Sequence, residues 1–227
     1  SHTEWKQMTE ATEKMEMKLF QKYESFGLKR GVTLLTKLPY VKLDKICPAE
    51  YLHAQLIGTT KLLIDFFIGR IANLPQFIPD AGIERINSRL STIHFPSGQL
   101  RTMPALPLKN TATERLKLKA YDHELILTYG FMAFEDALSS EHFTNLKRLS
   151  FIISSLNKSK IEVASLPNIE AETSTFLKEF EHLYPSQLHR IGPHHLHHIV
   201  DVVRDYGQLN GCSAYCVENS MKTIKLP

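Results

Sequence analysis

Apolar residues recur along most of this 227-residue chain at three- and four-residue intervals, and runs alternating apolar with polar are scarce. A helix gathers positions i, i+3 and i+4 on one face, whereas a half-buried strand needs a period of two. The pattern therefore predicts a mainly α chain. Helices are expected over 4–26, from Cys47-Pro48 to about Ala72, over 80–93, 113–138, 141–156 and 169–184, and from Pro193 to Tyr206. The stops fit the same reading: Gly27 and Gly207 follow helix ends, and Pro75 and Pro79 close the second helix. The only strand candidates are short, Val32–Leu35 and Ser213–Val217.

Composition narrows the function. With 43% hydrophobic and 22% charged residues the chain can bury a sizeable core. Three cysteines, Cys47, Cys212 and Cys216, make no disulfide framework, so a reducing compartment is the default. The longest apolar run, Leu62 to Ile68, is broken by Asp65 and falls well short of the roughly 18–20 residues of a membrane span. Ser1-His2 reads as a cloning remnant, with no secretory apolar stretch behind it. A net charge of +3 neither demands nor excludes nucleic acid, because a local basic patch matters more than the total. Such a patch exists in Arg101, Lys109, Arg115, Lys117 and Lys119, interrupted by Glu114 alone. Its ordinary alternative is a solvated loop and helix start.

Five imidazoles crowd one stretch: His189, His194, His195, His197 and His198. On a helix His194 and His198 share a face at i,i+4. Two neutral imidazoles so placed could hold zinc, with Cys212 and Cys216 completing a tetrahedron, although C-x3-C departs from the usual C-x2-C knuckle. Without metal, the same phase buries His194 and His198 and leaves His195 and His197 in water.

Four blocks carry a family resemblance. The run from Pro48 to Leu63, with Glu50, Leu52-His53, Gly58, Lys61 and Leu62-Leu63, is similar to D-Y-M-H-x-x-x-x-G-v-x-k-x-L-L. Ile86-Asn87-Ser88-Arg89-Leu90 with Ile93 and Pro96 resembles I-N-x-R-L-x-x-I-x-x-P. Leu118-Lys119-Ala120-Tyr121-Asp122 with Leu125 and Tyr129 resembles W-K-A-x-E-W-x-x-x-L-x-Y, with Leu118 in the place of the tryptophan. The last block holds His194, His198, Arg204, Gly207, Ser213 and Glu218. Together, in this order, the blocks resemble the CACTA/EnSpm-type DDE transposases.

That resemblance implies an RNase H-like fold whose final catalytic glutamate follows a long helical insertion. The chain would then comprise an N-terminal helix and remnant of the mixed α/β catalytic core (1–50), a helical insertion domain (51–210) and a C-terminal core remnant (211–227). Glu50 would take the second acid's place and Glu218 the final glutamate's, so the two are expected near one another. The first aspartate is expected upstream. The resemblance also implies a nuclear protein.

DDE chemistry holds two magnesium ions about 3.5–4 Å apart between carboxylates. Glutamate at position 50 adds a methylene, about 1.5 Å of reach, and a misplacement of about 1 Å can cost about 100-fold in rate. A catalytically inactive, domesticated relative is therefore expected, working through protein partners and holding no resident cofactor. The alternatives are a DNA-binding domain using residues 101–119, and a fragment of an active magnesium-dependent transposase. Trp5, Met8 and Met15 on the first helix are candidate contacts, since aromatics and methionine are enriched at interfaces. Plain packing of that helix competes with this role. The oligomeric state stays open.

Overall fold

The computed structural model describes residues 51–95, 102–108 and 118–214, all within the unit Ala49–Pro227. Among them every regular element is helical, and none is long and apolar enough to cross a membrane. The expected helix over 4–26, with Trp5, Met8 and Met15, and the expected strand at 32–35 lie outside the described residues. Ser213 and Ala214, the described start of the second strand candidate, carry no strand.

The first element is a π-helical stretch, Leu52–Thr60, which continues as α1, Lys61–Phe67. Its wide turns leave carbonyls displaced from the usual i−4 partner, and Thr59 compensates by donating its hydroxyl to Ala54 O, 3.2 Å away. The helix stops at Phe67, earlier than the expected Ala72. The reason is local: Gly69 takes φ +76° with the Gln76 side chain folded against it, and Ile78 N–H returns to Phe67 O at 2.8 Å.

Helix α2, Asp80–Ser91, follows with an acid in its first turn. The helix expected over 113–138 is, over its described part from 118 onward, three pieces. Helix α3 spans Ala120–Leu125, a π turn Ile126–Gly130, and a 3-10 turn Phe131–Phe134. Its start is set by Lys119, whose backbone N–H donates to Asp122 Oδ2 at 2.7 Å.

Helices α4, Ser140–Leu156, and α5, Leu166–Leu183, form a hairpin and match expectation within three residues. Ser139 caps α4, its hydroxyl accepting from His142 N–H. Between the two helices lies a buried polar tie. Asn145, fully buried, donates to Phe176 O and Glu179 Oε2, each at 3.1 Å. Arg148 reaches Glu179 at 3.2 Å and also pairs with Glu172.

The last helix is also broken: α6, Ile191–His195, a 3-10 turn Leu196–His198, then α7, Ile199–Tyr206. Gly207 closes α7 at φ +86°. One apolar core draws on all these elements except α6, with Tyr51, Phe67, Phe134 and Phe176 its largest fully buried side chains. Glu124 links three of them: Tyr51 Oη at 3.2 Å and Asn157 Nδ2 at 2.9 Å both donate to Glu124 Oε1.

Candidate functional site

The first motif block, at Gly58, meets backbone to backbone the turn at Gly192 that leads into the histidine cluster, more than a hundred positions away. A Cβ placed on Gly192 of α6 would lie 3.1 Å from the Cα and carbonyl carbon of Gly58 and from Thr59 N. One on Gly58 would lie 3.3 Å from Gly192 Cα and 2.8 Å from His53 O in its own π helix. The 2.8 Å contact is closer than real Cβ atoms come, so position 58 needs glycine; a Cβ at 192 would press on the Gly58 backbone and push the two helices apart by a few tenths of an ångström. The crossing pins the histidine-rich segment onto the helix that bears the Leu52-His53 pair. Gly58 stood inside a recognised block, but its spacing carries no hint of what it touches. Gly192 was not singled out.

The imidazoles on that segment are mutual neighbours. The His194 ring lies 5.7 Å from His197 and 5.7 Å from His198, centroid to centroid, and 6.4 Å from His195. His194 is thus as near to His197 as to its expected i,i+4 partner His198. Burial differs from expectation, however: His194 and His197 are exposed, while His195 and His198 are half-buried. The cause is the 3-10 turn, whose three residues per turn advance the phase faster than 3.6. Leu196, fully buried, takes the inward position, with Ile199 and Val200 behind it. Burial, with a smaller contribution from His194, holds the His195 imidazole below its usual pKa. Its Nδ1 is buried without a hydrogen-bond partner.

Among the described residues no group of three or more His, Cys, Asp or Glu side chains is arranged to hold a metal ion. Cys212 contributes backbone to a 3-10 turn, Leu209–Cys212, with its side chain outside the described set, as is all of Cys216. Glu50 and Glu218 lie outside it too, and with them the expected proximity of the two acids.

Of the basic stretch, Arg101, Lys109, Arg115 and Lys117 lie outside the described residues. Lys119 is described, and its backbone serves as the N-cap of α3. Arg204 is occupied as well, donating to Asp201 at 2.7 Å and Glu170 at 2.8 Å. That arrangement gives this block residue a structural role, tying α7 to α5.

Two features were not anticipated. Tyr129 and Met132 stand 55% and 48% exposed, three residues apart on adjoining turns, and Phe95 packs edge-on against Tyr129 at 5.4 Å. His123 is 1% exposed, with neither ring nitrogen hydrogen-bonded. Desolvation lowers its pKa to about 4; Lys61 adds to the shift, and Asp65 and Asp122 oppose it. Tyr129 closes a motif block, but its spacing carries no sign that the ring faces solvent. The burial of His123 was hidden by its place between Asp122 and Glu124, which reads as a polar helix face.

A small apolar cavity is lined by Ile64, Phe67, Ile126, Leu127, Phe131 and Phe134 beside Thr60 and Leu146. It is a packing defect of the core and offers no donor set for a polar ligand. Compared with known proteins, the chain matches no family model, no curated protein and no solved structure.

Proposed function

We propose that the chain is a transposase-derived, catalytically inactive interaction module that binds a protein partner in the nucleus, in chromatin or transposon control. The observation that carries this reading is the apolar patch of Tyr129, Met132 and Phe95 on an acidic helical body. Residues 118–214 hold eight Lys/Arg against twelve Asp/Glu, a net charge of −4. Phosphate binding needs the opposite sign, whereas exposed aromatics and methionine suit a protein contact. The family resemblance supplies the nuclear setting, and Glu50 in the place of an aspartate supports loss of chemistry.

A nucleic-acid role for residues 101–119 is the second reading, favoured by their five basic residues. The two readings part in one experiment. The full chain is used to capture partners from nuclear extract, as wild type and as Tyr129→Ala/Met132→Ala, and is titrated with a duplex DNA across a salt series. Capture of a defined protein by wild type, lost in the double variant, supports the module. Steeply salt-dependent DNA binding that survives the double variant and falls with Lys117→Ala/Lys119→Ala overturns it. Magnesium-dependent DNA nicking lost with Glu218→Gln would instead establish the transposase.

A further inference from the structure

Residues 102–108 read Thr-Met-Pro-Ala-Leu-Pro-Leu and carry no helix, turn or bend. Met103 and Leu106 each precede a proline, which disfavours the helical region for both. Pro104 and Pro107 have fixed φ, and the segment is a P-x-x-P sequence. In a polyproline helix, with three residues per turn, Met103 and Leu106 fall on one face. The burial puts both inside: Met103 is 9% and Leu106 2% exposed, with Pro107 buried beside Leu106, while Thr102 and Ala105 face solvent.

What receives the segment is equally specific. Asn87 on α2 donates from Nδ2 to Leu106 O at 2.9 Å and accepts Leu106 N–H on Oδ1 at 2.7 Å. One side-chain amide thus satisfies both backbone groups of one residue, as a neighbouring strand would. Because it reads backbone, this clamp is indifferent to the side chain at 106. Selectivity comes from the apolar anchors. The Met103 methyl occupies the space a side chain at Gly130 would fill, as does Leu90 Cδ2; a Cβ there would lie 2.6 and 2.7 Å from them. Gly130 adjoins Tyr129 and lies two residues before Met132, so the seat of the segment is continuous with the exposed apolar patch.

We propose that α2 and the Ile126–Gly130 turn form a docking groove for an extended, proline-punctuated peptide, occupied in this chain by its own Thr102–Leu108. The occupant in trans is a protein segment with two apolar anchors three residues apart, each followed by proline. This deepens the interaction-module reading and rests on it. A tethered occupant has a local concentration on the order of millimolar, so the internal segment holds the groove closed against weak ligands. A partner that also engages Tyr129 and Met132 gains the extra contact needed to displace it.

The test uses the full chain and a fluorescein-labelled Thr-Met-Pro-Ala-Leu-Pro-Leu peptide, followed by polarisation. Met103→Ser/Leu106→Ser should vacate the groove and bind the peptide saturably. Wild type should bind at least about ten-fold more weakly, as should the vacated protein carrying Asn87→Leu. Equal binding by wild type and vacated protein, or binding that survives Asn87→Leu or a peptide with aspartate in place of its central leucine, overturns the proposal. Should the vacated variant lose its helical circular dichroism, wild type itself decides. Millimolar peptide should speed hydrogen exchange at the Leu106 amide as the internal segment leaves, and an unchanged rate refutes the groove. Failure here leaves the capture result with Tyr129→Ala/Met132→Ala standing, so the two readings fail separately.

Discussion

Replacing His123 by leucine should make the protein more resistant to acid, by an amount the structure sets. His123 sits in α3 facing the core, and its ring can take up a proton in the unfolded chain at the ordinary value of 6.5 but in the folded protein only near 4. Above pH 6.5 both states are neutral there and the group contributes no pH dependence. Between 6.5 and about 4 the unfolded chain binds a proton that the folded protein refuses, so stability falls with falling pH. Below about 4 both states are charged and the slope from this group ends. The span from 6.5 to about 4, at about 1.4 kcal/mol per pH unit, comes to about 3–4 kcal/mol. That is a large part of a typical domain's total of about 5–15 kcal/mol. Leucine also removes two buried unpaired nitrogens, which should add about 1 kcal/mol or more at neutral pH.

The assay is urea denaturation followed by circular dichroism at pH 7, 6, 5 and 4.5, comparing wild type with His123→Leu. The difference between the two proteins isolates this residue, because His142 and His195, also lowered by burial, titrate in both. The stability gap should widen by about 2–3 kcal/mol between pH 7 and 4.5. A gap that stays constant with pH would refute the argument and place His123 in contact with water.

Gly192→Val should destabilise the fold by at least about 1–3 kcal/mol, since its side chain would collide with the Gly58 backbone; a melting temperature equal to wild type would show that the two helices do not touch. Arg148→Ala strips a partly buried cation from Glu172 and Glu179 and should cost about 2–3 kcal/mol in urea denaturation. Arg204→Ala breaks two exposed pairs and should cost less than about 1 kcal/mol by the same measurement, a loss that high salt reduces. Asn145→Leu leaves Phe176 O without its side-chain donor at full burial. A loss of about 1–3 kcal/mol is expected, and a more stable variant would contradict it.

Helix existence and phase were legible from the sequence wherever one face packs against a continuous core. The α4–α5 hairpin shows this, since Leu146, Leu149 and Ile153, like Phe176 and Phe180, repeat at helical spacing and are all buried. Asp80 and Gly207 marked ends correctly because an acid in the first turn and a positive φ are local properties of the chain. The exchange of α-helical for π and 3-10 turns was not legible. Those changes of pitch answer to neighbours distant in sequence: Gly58 to Gly192, Gly130 to Met103, and the Leu196 turn to the core beneath it. Periodicity assumes 3.6 residues per turn, so it misplaced the histidines by the part of a turn that a 3-10 segment gains. The polar ties were hidden for a similar reason. Asn87 and Asn145 look like ordinary helix-face residues until the Leu106 backbone and Phe176 O are brought to them. The amino-acid order thus determined what kind of elements form and where most of them stop. Which backbones touch, which polar groups lose water and which segment fills which groove depend on contacts across tens of residues, and only the tertiary structure decided them.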